Sequence, residues 1–199
     1  MPESVELRAA LFDLDGTLVD SHLDFAAIRR DTGFPEGLGL LEHLETLTDT
    51  PARAEAEAII HAHELNGAER ATWMPGASAL LQHLADAGVP LGIVTRNSRH
   101  CASLMIDALG IPCDMLVARE DAPAKPDPAG LLRIASQWQI PVDQIAYTGD
   151  YLFDIQAARA AGMVSCLYAP DGHSPFGHLS DITVTDFGLW LGYFRLVDS

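Results

Sequence analysis

Short apolar runs alternate with amphipathic stretches along most of the chain, and their order predicts a fold. Ala9-Ala10-Leu11-Phe12 is an apolar run of strand length. Two carboxylates, Asp13 and Asp15, follow at once, and Gly16 breaks the extended conformation. From Pro75 onward helical and strand patterns take turns. Ala77, Leu80, Leu81, Leu84 and Ala87 form one apolar stripe closed by Gly88. Residues 89–95 read as a second strand ending in Thr95-Arg96-Asn97. Ser98 caps an expected helix that turns Ala102, Met105, Ile106 and Leu109 inward and stops at Gly110. Residues 115–117 read as a third strand. Asp127 and Pro128 open a helix whose Leu131, Leu132, Ala135 and Trp138 are expected to face the core, with Pro141 as its stop. Residues 145–148 form the fourth expected strand, ending at Gly149-Asp150. The helix after it carries Asp154 and closes at Gly162. Two more strands are expected at 164–168 and 182–185, and an apolar helix from about Asp186. Its Leu189, Trp190, Tyr193 and Phe194 read as core packing. Alternation of this kind implies a doubly wound α/β fold, a mainly parallel sheet with helices on both faces.

Residues 19–73 break the pattern. They show no convincing strand and are rich in Ala, Leu, Glu and His. Asp20 or Ser21 can cap a helix through Arg30, and Gly33-Phe34-Pro35 interrupts it. Leu38, Leu41, Leu44 and Leu47 recur at near-helical spacing. Thr50 with Pro51 opens a third helix that Asn66-Gly67 would end. The expectation is an all-helical insertion at 19–73 within a core made of 1–18 and 74–199.

In a parallel sheet, ligands bind beyond the carboxyl ends of the strands. The polar residues found directly after expected strands are Asp13, Asp15, Thr95, Asn97, Gly149 and Asp150, so they should converge. Like charges held close resist joint ionisation unless a cation is shared. Hard oxygen donors favour Mg²⁺. Thr95 adds a hydroxyl, the Ser98 helix start adds N–H groups, and Lys125, in the turn-rich segment before Asp127, adds positive charge. Carboxylate nucleophile, divalent cation, lysine and helix start together suit a phosphoryl group.

Composition narrows the partners. The 199 residues suffice for one core with a modest insertion, and 48% hydrophobic with 20% charged residues allow a sizeable core. Twelve basic against 28 acidic residues leave a net charge of −16. That disfavours nucleic acid and anionic membrane, and it means that any phosphate site must be locally positive. Cys101, Cys113 and Cys166 lack metal or redox spacing and read as buried thiols of a reducing compartment. The acidic start Met1-Pro2-Glu3-Ser4-Val5-Glu6 has no signal-peptide pattern, and no apolar run approaches spanning length. A cytoplasmic protein acting on a small phosphorylated metabolite, as monomer or homodimer, is expected.

Four sequence features resemble, in order, the motifs of the haloacid dehalogenase-like hydrolases, specifically phosphatases similar to phosphoglycolate phosphatase. They are Asp13-Leu14-Asp15-Gly16-Thr17, Thr95 at a strand end, Lys125 in Lys125-Pro126-Asp127-Pro128, and Gly149-Asp150 with Asp154 four residues on. The resemblance implies a Rossmann-like core with a mobile helical cap and an aspartyl phosphate formed on Asp13. It makes Asp15 the general acid and base, and places Mg²⁺ among the Asp13 carboxylate, the Asp15 carbonyl and Asp150, with Asp154 either at the metal site or supporting it from behind. Thr95 and Lys125 complete the catalytic set. Gly16, Arg96, Asn97, Arg29 and Arg30 are the candidate substrate contacts, with the two cap arginines also readable as solvated surface.

Two departures stand out. Arg96 follows Thr95 where a small residue is common, and can reach for an acidic group on the substrate. Tyr151 follows Asp150 where a small hydroxyl residue is usual, and can narrow the metal surroundings. A sugar phosphomutase shares the same motifs and stays as an alternative, as does a non-catalytic phosphate-binding or signalling protein. A receiver domain needs no second aspartate followed by Gly-Thr, and the dehalogenating branch lacks an acid at the Asp15 position. His61 and His63 fall on different faces of a helix and make a poor metal pair.

Overall fold

The computed structural model describes residues 5–197, so the acidic stretch Met1–Ser4 lies outside the described residues. In chain order the elements are β1 (Val5–Leu7), β2 (Ala9–Phe12), β3 (Val19–Asp20), α1 (Phe25–Thr32), α2 (Leu40–Thr46), α3 (Thr50–Ala68), β4 (Thr72–Trp73), α4 (Ala77–Asp86) and β5 (Leu91–Val94). They continue with α5 (Arg99–Leu109), β6 (Met115–Val117), α6 (Ala129–Trp138), β7 (Ile145–Gly149), α7 (Leu152–Ala161), β8 (Val164–Tyr168), β9 (Ile182–Val184), α8 (Phe187–Trp190) and β10 (Phe194–Leu196). The apolar runs pair into a six-stranded sheet of order β6-β5-β2-β7-β8-β9, and every pairing in it is parallel. Strands buried on both faces read as unbroken apolar runs, which is why they were visible in the sequence.

Strand order reverses at β2. The chain steps outward through β5 and β6, then returns to β7 on the other side and continues to β8 and β9. Right-handed crossovers in opposite directions put helices on opposite faces. On one face Leu131, Ile134 and Ala135 of α6 and Ala157 and Ala158 of α7 pack with Ala9, Leu11 and Tyr147. On the other, Phe12 meets Trp190, whose indole N–H donates to Thr148 Oγ1 at 3.0 Å. Leu132 is a correction. It points to solvent at 40% exposure while Leu131 and Ile134 take the buried positions.

The end of the chain also departs from expectation. The apolar helix is a single turn, α8, followed by a 3₁₀ turn at Leu191–Tyr193 and then β10. Strand β10 pairs in parallel with β1, Val5 opposite Phe194 and Leu7 opposite Leu196. Trp190 and Phe194 bury their rings 4.2 Å apart. Leu189 stays exposed.

The chain divides into two units, one of them Ser21–Ala71. The expected boundaries at 19 and 73 shift inward because Val19 and Asp20 pair antiparallel with Trp73 and Thr72, which ties all four residues to the core. Two-residue strands are too short to register as periodicity. In the Ser21–Ala71 unit, α1 is capped by Asp24, whose side chain accepts the Ala27 N–H at 2.9 Å, and not by Asp20 or Ser21. Its small core comprises Ile28, Phe34, Leu44, Ala56 and Ile60. Among the described residues no helix is long and apolar enough to cross a membrane.

Candidate active site

Parallel strands deliver their last residues to one edge of the sheet, and here four of them bring functional groups. Strand β2 runs into Asp13, β5 into Thr95-Arg96-Asn97, β7 into Gly149-Asp150, and the segment after β6 carries Lys125. Asp154 enters from the first turn of α7. Asp13 is held by its own backbone, its N–H donating to Thr148 O at 2.8 Å.

Lys125 is the hub. Its buried Nζ donates to Asp13 Oδ1 at 2.7 Å and to Asp154 Oδ1 at 2.6 Å. Tyr147 Oη lies 2.8 Å away and Val94 O 3.2 Å away. Burial works against the ammonium, but Asp13 and Asp154 more than offset it and hold the pKa above the ordinary lysine value. Asp13 is driven the other way. Burial lifts its carboxyl to about 7, against the pull of Lys125 and with a push from Asp154 and Asp150. Asp150 rises to about 6, again chiefly through burial, with Asp154 adding to it and Lys125 and the Thr17 hydroxyl opposing. Thr17 Oγ1 donates to Asp150 Oδ1 at 3.2 Å.

Two glycines let the carboxylates sit where they do. Gly16 has φ of +82°, and a Cβ there would stand 2.8 Å from Asp150 Oδ2. A Cβ on Gly149 would stand 2.2 Å from Asp154 Cγ. Gly16 thus acts through close approach to Asp150.

Asp13, Asp150 and Asp154 each offer a carboxylate oxygen within 4.8 Å of the others. Three hard anionic donors around one ammonium suit a divalent cation with oxygen ligands, so the residues fit a metal site. Asp15 is not part of this side-chain trio. It is half-buried, in the tight loop where Gly16 N–H bonds Val19 O at 2.8 Å. The acidic group expected to contain Asp13, Asp15 and Asp150 therefore forms with Asp154 as its third side chain.

The other candidates divide. Thr95 and Asn97 are buried at the end of β5, and Asn97 N–H donates to Thr95 Oγ1 at 3.1 Å, which leaves the threonine proton for another acceptor. Arg96 places its guanidinium 5.3 Å from the Phe153 ring centroid. The helix start at Ser98 is not an open anion site, because Glu120 already accepts the Arg99 N–H at 2.9 Å and Ser98 Oγ that of Cys101 at 3.3 Å. Tyr151 does not narrow the acidic cluster with its ring, which is half exposed and packs edge-on against Phe153 and Phe176. Its backbone N–H donates to Asp154 Oδ2 at 3.0 Å instead. Arg29 donates to the carbonyls of Pro35 at 2.6 Å and Leu38 at 2.7 Å, a local brace in its own unit. Arg30 is exposed on α1. Of the three thiols, Cys101 and Cys166 are buried and Cys113 only partly so.

Sequence reasoning passed over Tyr147 and Thr17, which touch Lys125 and Asp150. The available signal was a lone tyrosine in an otherwise apolar strand, three residues before Asp150.

Residues 7–162 match the haloacid dehalogenase-like hydrolase family. The chain belongs to the haloacid dehalogenase-like hydrolases. It is 31% identical to a haloacid dehalogenase-like hydrolase domain-containing protein of Arabidopsis thaliana, over 89% of this chain and 80% of that one. It is 30% identical to the phosphoglycolate phosphatase of Rhodospirillum rubrum, over 94% and 91% of the two chains. A haloacid dehalogenase-like family hydrolase from Streptococcus pneumoniae has the same fold, with a TM-score of 0.76 at 24% identity, covering 95% of this chain and 99% of that one. This haloacid dehalogenase-like hydrolase has its carboxylates, lysine and threonine beyond the carboxyl ends of the parallel strands, the place where open α/β sheets bind ligands.

Proposed function

We propose that this hydrolase is a Mg²⁺-dependent phosphatase of small phosphomonoesters, working through an aspartyl phosphate on Asp13. The observation that carries the reading is the bridge from Lys125 Nζ to Asp13 and Asp154, with Asp150 completing the acidic trio. Asp13, Asp150 and Asp154, with the Asp15 carbonyl, would hold Mg²⁺, which supplies the positive charge that lets a phosphate dianion approach ionised carboxylates. Lys125 holds Asp13 Oδ1, leaving Oδ2 to attack phosphorus in line with the leaving oxygen. The Thr95 hydroxyl donates to a phosphoryl oxygen. Asp15 gives its proton to the leaving oxygen, then takes one from the water that cleaves the acyl phosphate. Asp15 suits this role because its side chain stands outside the acidic trio. Likeness to enzymes named phosphoglycolate phosphatase supports a substrate that carries a second anionic group, and Arg96 beside Thr95 is the cation offered to it.

The test is phosphate release from para-nitrophenyl phosphate with Mg²⁺ and in excess chelator. Turnover should vanish on chelation. Asp13→Asn should lose at least about 10⁴-fold in kcat, because an amide cannot form the acyl phosphate. Asp15→Asn should give a stoichiometric burst, a slow steady state and a phosphorylated protein detectable by mass. Full activity in chelator, or a labelled Asp13→Asn protein, would overturn the assignment.

A further inference from the structure

Tyr147 lies in the middle of the central sheet, 1% exposed, in a strand that is otherwise apolar up to Thr148. A phenol in such a place needs partners for its hydroxyl, since a buried unpaired donor is strongly penalised. Tyr147 finds them entirely within the active site. Its Oη lies 2.8 Å from Lys125 Nζ, 3.0 Å from Asp154 Oδ1 and 3.1 Å from Val94 O.

An ammonium has three N–H donors, and Lys125 has four oxygens within reach. The three shortest contacts are Asp154 Oδ1 at 2.6 Å, Asp13 Oδ1 at 2.7 Å and Tyr147 Oη at 2.8 Å, while Val94 O stands back at 3.2 Å. Tyr147 accepts from Lys125 and donates its own O–H to Val94 O or Asp154 Oδ1. Without the hydroxyl, the third N–H is left to the more distant Val94 carbonyl. The direction of the N–H that meets Asp13 then loses one of its two other fixed points.

We propose that Tyr147 is a positioning residue of this site, its buried hydroxyl aiming the Lys125 ammonium at the Asp13 carboxylate. The catalytic consequence rests on the phosphatase reading, whereas the contact itself does not. Because all three N–H groups then serve protein oxygens, Lys125 acts by orienting Asp13, and the phosphoryl oxygens depend on other donors.

The experiment pairs Tyr147→Phe with a measurement on the wild-type protein. Kinetics with para-nitrophenyl phosphate and Mg²⁺, well below the variant's melting temperature and normalised to folded protein, should show kcat down about 10- to 100-fold, the range of a hydrogen bond to a charged group. KM should stay within about twofold, because an aiming error is felt in the transition state. A merely structural role would lower the melting temperature and leave kcat per folded molecule unchanged, and that result would overturn the proposal. So would a rise in KM at constant kcat. In wild-type protein labelled with ¹⁵N-lysine, the Lys125 ammonium protons should show a nuclear Overhauser contact with the Tyr147 ring protons. Its absence would overturn the proposal even if the variant failed to fold or the protein released no phosphate.

Discussion

Polar side chains behave differently at the sheet edge and in the Ser21–Ala71 unit. At the edge they are buried and shared, as with Lys125, which stands among two carboxylates, a phenol and a carbonyl. In the helical unit two ion pairs stand more in the open. Arg53 meets Glu57 one turn on, with side chains 42% and 50% exposed, and His63 meets Asp31 at 2.8 Å. The contrast is one of dielectric surroundings. A charge removed from the edge leaves its partners uncompensated in a dry interior, whereas one removed from a helix face leaves them in water.

The sharpest way to break that contrast is Lys125→Met, which keeps the stem and removes the charge. Without its ammonium the acidic trio is left with no cation, so the chelated variant should lose about 3–5 kcal/mol of stability in urea unfolding. A loss under about 1 kcal/mol would place this bridge with surface pairs.

Acidity gives a second, smaller effect. Asp13 and Asp150 have folded-state pKa values raised from 3.8 to about 7 and about 6. Between those limits the folded chain binds more protons than the unfolded one. Their contribution to stability is full below about pH 4 and is lost as pH rises through 6 and 7. A cation takes the place of those protons, so the rise in melting temperature produced by Mg²⁺ should be larger at pH 8 than at pH 5. Equal shifts at the two pH values would contradict the raised pKa values.

Arg53→Ala should produce the smallest change, under about 0.5 kcal/mol, since an exposed pair four residues apart on a helix contributes little. A larger effect in urea unfolding would mean that the helical unit is less solvated than its exposure indicates.

What could be read from the sequence follows the same division. Strands β2, β5 and β7 were legible because each apolar run ends in a polar group, and that placed Asp13, Thr95 and Asp150 together at one edge. Asp154 was legible through its spacing from Asp150, but its contact with Lys125 was not, since 29 residues separate them and only the fold closes the gap. Tyr147 hid because tyrosine in a strand is unremarkable by propensity. Arg29 and Arg30 looked alike in sequence, and only the carbonyls of Pro35 and Leu38 set Arg29 apart. The pairing of β1 with β10 was illegible for a plainer reason. Three-residue strands carry almost no pattern, and partners at opposite ends of a chain leave no local trace.

That pairing also bears on how the protein is made. Arg195 and Glu6, an ion pair on the two strands, are 189 residues apart. During synthesis β1 leaves the ribosome long before β10 and waits while the residues between them are made. The six-stranded sheet does not need β10 as a partner, since all of its strands precede residue 185. Contacts of such sequence separation close late, after the entropy of a very long loop has been overcome. Trp190 follows β9 by six residues and packs against Phe12, so a chain that stops before that residue lacks the aromatic backing of β2.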